Sequence, residues 1–367
     1  MGNLFDYLTW RGDLSFGNSP LCPVDALVFS MLPYIRLEGI VPSSAKAEPV
    51  RLADAAARYL AEEREDQNEP FDRALRERLL RAMAESNRFG PLRLLAARKI
   101  LDPKDGTQFA GITVLLPGQN LFVAFEGTDD TLVGWEEDFR MSYECPVPAQ
   151  LHATAYLREI AAAHPLRRLY VGGHSKGGNL AMYAAVRCGE ENRYRVRRVF
   201  NNDGPGFCDG TLSSPEYLEL RDRISTYLPQ SSIVGVLLEH DERYKIVKST
   251  NLGLLQHDPF SWEITGTDFE YATERTAFGK KTEAIVDRFV NSLSPERKRQ
   301  FCEGLFAVLQ STESETVSGI GGNKLQSLRR MMQGFANLPQ EVRGVLLETV
   351  EALNRSRREI SRTKRQK

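Results

Sequence analysis

Apolar positions change rhythm along this chain, and the changes mark its elements. Between residues 46 and 88 they recur three and four apart, at Leu52, Ala55, Ala56, Tyr59 and Leu60, then at Leu75, Leu79, Leu80 and Met83. That spacing predicts two amphipathic helices, broken near Asn68–Pro70, each offering one apolar face as cover for a core. Before them, apolar residues cluster around Val24–Tyr34 among prolines at 20, 23, 33 and 42, which predicts a short helix or two within a looped cap. From residue 91 the rhythm shortens. Leu92–Ile100, Phe109–Leu116 and Leu121–Phe125 are apolar runs of strand length, separated by Asp105-Gly106 and Pro117-Gly118, the residues tight turns require.

Helical spacing returns over residues 149–164, and Leu169-Tyr170-Val171 then runs straight into Gly172-Gly173-His174-Ser175-Lys176-Gly177-Gly178. A helix of small residues, Asn179–Arg187, follows, and Val199-Phe200, Ile224–Leu228 and Tyr244–Val247 supply further strands. Strands alternating with helices predict an α/β fold, a mostly parallel sheet with helices on both faces. Residues 281–367 read as helix only, broken near Ser292–Pro295, Ser311–Gly322 and Leu338–Pro339. The expected organisation is an N-terminal cap with amphipathic helices over 1–90, an α/β core over 91–280, and a C-terminal helical extension with a basic tail over 281–367.

Composition narrows the function. Lys plus Arg is 48 and Asp plus Glu is 49, a formal charge of −1, which argues against a chain built around nucleic acid or an anionic membrane. The basic tail from Arg355 to Lys367 carries no interleaved aromatics and reads as a solvated end. Apolar runs such as Ile233–Leu238 fall far below the roughly 20 residues that span a bilayer. The opening residues carry Asp6, Arg11 and Asp13 with no continuous apolar stretch, so no secretory signal is expected. Cys22, Cys145, Cys188, Cys208 and Cys302 are scattered, without a Cys-x-x-Cys. Neither a disulfide scaffold nor a structural zinc is expected, and a cytoplasmic setting fits.

The chemistry converges on one stretch. Gly173-His174-Ser175-Lys176-Gly177 fits Gly-x-Ser-x-Gly between an apolar strand and a small-residue helix, the context of a nucleophile elbow. A side chain two residues either side of the serine would collide with backbone, hence the glycines. A serine hydroxyl needs a base, and the chain has five histidines. His174 would point away on a tight elbow, and His152 and His164 precede it on the crossover helix. His257, on a loop after the late strand Tyr244–Val247, is favoured over His240 in a charged turn. Asp203, between the strand 198–202 and Gly204-Pro205-Gly206, is the preferred carboxylate to orient that base. Its alternative role is to organise the turn. Asp258 is too close in sequence to bond the histidine ring, and Asp209 and Asp241 are further candidates. Backbone N–H groups of Thr128 and Lys176 are the expected oxyanion donors. The Lys176 side chain either attracts an acidic leaving group or forms a surface salt bridge. Thr131–Cys145, with apolar residues among acidic ones, is either a lid or a packed crossover. Such a site needs neither metal nor organic cofactor.

At this point the chain resembles known proteins. Phe125-Glu126-Gly127-Thr128, the Gly-His-Ser-x-Gly-Gly elbow and a late histidine occur in the order of class 3 (fungal-type) lipases. Three stretches resemble the bacterial Mbeg1-like (DUF2974) family more closely. They are Gly127-Thr128-Asp129-Asp130 leading to Val133–Phe139, Gly173–Ala181, and Asn201-Asn202-Asp203-Gly204-Pro205-Gly206-Phe207. The opening Asp6-Tyr7-Leu8 and Arg11–Phe16 also match, so the resemblance spans roughly 1–265. It implies an α/β-hydrolase fold and a lipase-like hydrolase, and with the candidate triad the expected activity is that of a serine hydrolase on a small acyl-ester or lipid-like substrate. Two positions depart from the pattern: Glu126 stands where Arg is usual, and Glu136 where Lys is common. Acidic side chains there would oppose negative charge in a transition state unless basic partners neutralise them. A hydrolase-fold binding or scaffold protein is the alternative these replacements leave open.

Overall fold

The helix–strand alternation in the middle of the chain folds as an α/β unit. It is seen here in a computed structural model that describes residues 2–62, 73–208, 210–241, 243–320, 324–348 and 351. Helices α1 (Leu4–Arg11) and α2 (Pro23–Ser30) form the cap, followed by a 3-10 turn at Leu32–Tyr34 and a short strand β1 (Val50–Arg51). The amphipathic pair is α3 (Leu52–Ala61) and α4 (Arg73–Glu85), and the expected break at Asn68–Pro70 lies outside the described residues. Three long strands follow, β2 (Arg93–Asp102), β3 (Thr107–Leu116) and β4 (Asn120–Phe125). Gly106 and Gly118 sit between them at φ 67° and 69°, a backbone that disfavours a side chain.

Next come α5 (Leu132–Arg140), α6 (Pro148–Ala163), β5 (Arg168–His174), α7 (Lys176–Arg187), the single turn α8 (Glu190–Arg193) and β6 (Val196–Asn202). After α9 (Pro215–Leu220) come β7 (Ile224–Pro229), β8 (Tyr244–Val247), the two-residue strands β9 (Ile264–Thr265), β10 (Asp268–Phe269) and β11 (Tyr271–Ala272), and then α10 (Ala277–Asn291). The chain continues in α11 (Pro295–Gln310), α12 (Val317–Ile320), α13 (Lys324–Asn337) and a helical stretch over 340–348.

One nine-stranded sheet runs in the order β1-β2-β3-β4-β5-β6-β7-β8-β11. Its centre, β4 to β8, is parallel, while β1 to β4 and the last pair are antiparallel. The side-chain period of two decides the layers. Along β4, Leu121, Val123 and Phe125 face the core beneath α6 and α7, whereas Phe122 and Ala124 face the core beneath α1 to α4. The N-terminal helices therefore supply one of the two helical layers. A third, smaller cluster joins Leu132 of α5 to Cys302 and Phe306 of α11.

Candidate active site

The sharpest backbone feature is Ser175, at φ 59° and ψ −135°, where β5 ends and α7 begins. That non-glycine strain is the conformation of a nucleophile elbow. The flanking glycines are sterically required, since a Cβ on Gly173 would lie 2.2 Å from the Gly177 backbone, and one on Gly177 would lie 2.3 Å from Phe125 O. The Ser175 amide donates to Asn202 O at 3.0 Å, tying the elbow to the end of β6.

Asp203 follows directly, itself at φ 56° and fully buried. His257 Nδ1 donates to Asp203 Oδ2 at 2.7 Å, and the Ser232 hydroxyl donates to Oδ1. A carboxylate accepts only, so neutral His257 carries its proton on Nδ1 and leaves Nε2 free to act as a base. The His257 side chain is 30% exposed, whereas that of Asp203 is 0% exposed, so the imidazole is reachable and its carboxylate partner is not. Ser175 is itself 9% exposed. Among the described residues no hydrogen bond joins its hydroxyl to His257. Such contacts are often long without substrate and tighten in the complex.

His174, beside Ser175 in the elbow, is engaged by its own partners. Its Nε2 lies 2.8 Å from His257 O, and the two rings are 4.6 Å apart. Burial, with the charge of His257 second, holds its pKa well below the ordinary histidine value. Of the other candidates, His152 packs beside Phe109 and His164 ends α6. His240 adjoins the Phe207–Glu239 bridge. Asp258 caps the turn at Phe260 N, and Asp241 pairs with Arg221 at the surface. Asp209 lies outside the described residues.

Beside the elbow runs Glu126-Gly127-Thr128-Asp129. The Gly127 amide donates to Tyr34 Oη at 3.0 Å, and the Thr128 hydroxyl donates to Asp138 Oδ2. The Thr128 amide engages no acceptor among the described residues, and Lys176 offers the first amide of α7, which has no intrahelical partner. A Cβ on Gly127 would meet Tyr34 Oη at 2.3 Å and Ser175 Cβ at 2.9 Å, so only glycine lets this loop approach the elbow.

The Lys176 side chain forms the expected salt bridge, but in the interior rather than at the surface. It is buried, with Nζ 3.0 Å from Glu137 Oε2 and 3.1 Å from Gln108 O. Its partners on β3 and α5 hold it in the interior, away from solvent. Although burial opposes its charge, Glu137 and Asp138 push its pKa up. Glu126 is likewise neutralised: Arg36 lies 2.8 Å from Oε1 and Gln108 Nε2 donates to Oε2 at 3.0 Å. Lys99 lies 3.5 Å from Asp129. Glu136 faces elsewhere, accepting from Gln310 of α11 at 3.2 Å. Segment 131–145 is held by packing: Leu132 N–H donates to Glu315 O, Val317 N–H donates to Asp130 O, and Phe139 meets Phe306 edge-on at 5.6 Å. Sequence reasoning missed Tyr34, Arg36, Ser232 and the Gln108–Glu137 pocket, none of which carries a motif.

Fold and site together describe an α/β protein with a serine on a strained strand-to-helix elbow and an Asp–His pair at the same sheet edge. The chain belongs to the Mbeg1-like family, whose model matches residues 83–307. Among solved structures it is similar to lipase II from Rhizopus niveus, with a TM-score of 0.32 and 14% identity, covering 53% of this chain and 75% of that one. No curated protein matches. No helix among the described residues is long and apolar enough to cross a membrane, and no group of acidic, histidine or cysteine residues there could hold a metal ion.

Proposed function

We propose that this protein is a serine hydrolase that cleaves a carboxylic ester or thioester of a lipid-like acyl group. The observation that carries the reading is the hydrogen bond from His257 to the buried Asp203, 2.7 Å long, set against an elbow serine. His257 Nε2 takes the proton of the Ser175 hydroxyl as its oxygen attacks the acyl carbonyl. The tetrahedral oxyanion is held by the Thr128 and Lys176 amides, and Asp203 stabilises the imidazolium. His257 then protonates the leaving alcohol or thiol. Water, deprotonated by the same ring, releases the acid and restores the serine. No residue in this scheme calls for a metal or organic cofactor.

The core over 91–280 serves as the catalytic unit, with α1 to α4 covering one face of the sheet and α11 packed on α5. Five free cysteines are in keeping with a cytoplasmic setting. The open Ser175–His257 contact favours a second reading, a hydrolase-fold binding protein that keeps the elbow for its shape.

A fluorophosphonate probe separates the two, because it reports an activated serine without knowledge of the substrate. Wild type should label, Ser175→Ala should not, and His257→Ala and Asp203→Asn should label at least about a hundredfold more slowly. A folded wild type that stays unlabelled, with and without detergent, would transfer the assignment to the binding protein.

A further inference from the structure

Three residues of the N-terminal cap, Ser30, Tyr34 and Arg36, reach the end of β6, the elbow and the Glu126-Gly127 loop. The Asn202 amide group, next to Asp203, donates to Ser30 Oγ at 3.2 Å. Tyr34 Oη accepts from Gly127 N–H at 3.0 Å and lies 3.4 Å from both Nδ1 and the carbonyl oxygen of His174. Arg36 neutralises Glu126. This segment precedes residues 83–307, which carry the family match, and no catalytic motif marks it.

The donors and acceptors impose a direction. The His257 carbonyl can only accept, so His174 Nε2 bears the proton and Nδ1 is bare. Tyr34 then accepts from Gly127 and donates toward His174. A chain runs from the oxyanion loop through Tyr34 and His174 to the backbone of the catalytic base. Tyr34 and His174 are each 2% exposed, so neither can touch substrate. A neutral His174 also keeps a second positive ring away from His257, 4.6 Å distant, when that ring must become an imidazolium.

We propose that Tyr34 and His174 are positioning residues, locking the Gly127-Thr128 loop, the Ser175 elbow and the His257 loop into one arrangement. The inference deepens the hydrolase reading and rests on it for its kinetic consequence, although the coupling itself is structural.

The test uses the full chain, with Tyr34→Phe, His174→Leu and His174→Gln. Fluorophosphonate inactivation is resolved into probe binding and the rate at saturating probe. Tyr34→Phe and His174→Leu should lower the saturating rate about tenfold to a hundredfold with probe binding and thermal midpoint little changed. His174→Gln retains an N–H donor of similar reach and should restore most of that rate. Wild-type rates in Tyr34→Phe and His174→Leu would overturn the proposal. An arm independent of activity follows the backbone amide resonances of Gly127 and His257 in 15N-labelled protein. Coupled loops shift both in each disruptive variant, whereas shifts confined to the substituted residue's neighbours would overturn the coupling. A wild type that fails to label would remove the hydrolase reading alone, and the resonances would still decide the coupling.

Discussion

Asp138 shows how one side chain beside the site is balanced against its surroundings. Its carboxyl is pushed up to about 6 because burial outweighs the attraction of Lys176 and the Thr128 hydroxyl. The folded value lies above that of an unfolded aspartate, about 3.9, so the native state holds the proton more tightly. The ionised form therefore costs stability above pH 6, and stability is recovered as pH falls from about 6 toward 4. His174 runs the other way: its lowered folded pKa means that the unfolded chain takes up a proton first, below about 6.5, and stability is lost as pH falls. Asp138→Asn should raise the thermal midpoint at pH 7 and steepen the decline below pH 6, because its compensating titration is lost while that of His174 stays. Melting curves from pH 4.5 to 8 check this, and a lower midpoint at pH 7 would contradict it. Residues of this kind were illegible beforehand. Ser175, Asp203 and His257 announce themselves through glycines, a strand end and the scarcity of histidines. Tyr34 meets Gly127 across 93 residues with nothing local to signal it. Lys176 likewise looked exposed because its partners Gln108 and Glu137 are distant in sequence.

At the scale of elements, the strands from β2 to β8 were readable because apolar runs, turn glycines and helical spacing all agreed. The two-residue strands β1, β9, β10 and β11 were not, since two residues carry no period and only pairing defines them. Helical spacing likewise gives the C-terminal helices but not what they cover. In the structure α11 and residues 315–318 hold α5 in place, immediately after the Gly127-Thr128 loop. Phe306 is 2% exposed and packs on Phe139. Phe306→Ala should cost about 3 kcal/mol at this contact. The loss should be local: amide exchange should accelerate over 131–143, while β5 and α7 keep their protection. Uniform acceleration across the sheet would show that α11 is instead part of the main cooperative core.

For the whole molecule, the question is what makes the cap inseparable from the sheet. Apolar packing contributes most, since α1 to α4 share one core with β2 to β4, but a buried ion pair fixes the geometry. Arg88 and Asp25 are both fully buried, and Arg88 Nε donates to Asp25 Oδ1 at 2.7 Å. The same guanidinium donates to the carbonyls of Leu14, Ser19 and Pro20, so all five of its N–H groups are engaged. Tyr7 adds a hydrogen bond to Asp25 at 2.7 Å. Burying two charges is costly, so the pair is a poor source of net stability but a strong constraint once made. Arg88→Met would strand a buried carboxylate and three carbonyls, costing about 3–5 kcal/mol. Asp25→Asn in the same chain should recover only part of that loss, because the loop carbonyls stay unpaired. Because α2 leads directly to Tyr34, the single variant should also slow Ser175 labelling, although Arg88 touches none of the site residues. Urea unfolding of both single variants and the double, with labelling measured on each, reads the two effects together. A large stability loss with wild-type labelling would mean that the cap can loosen around Arg88 without disturbing the segment from Ser30 to Arg36.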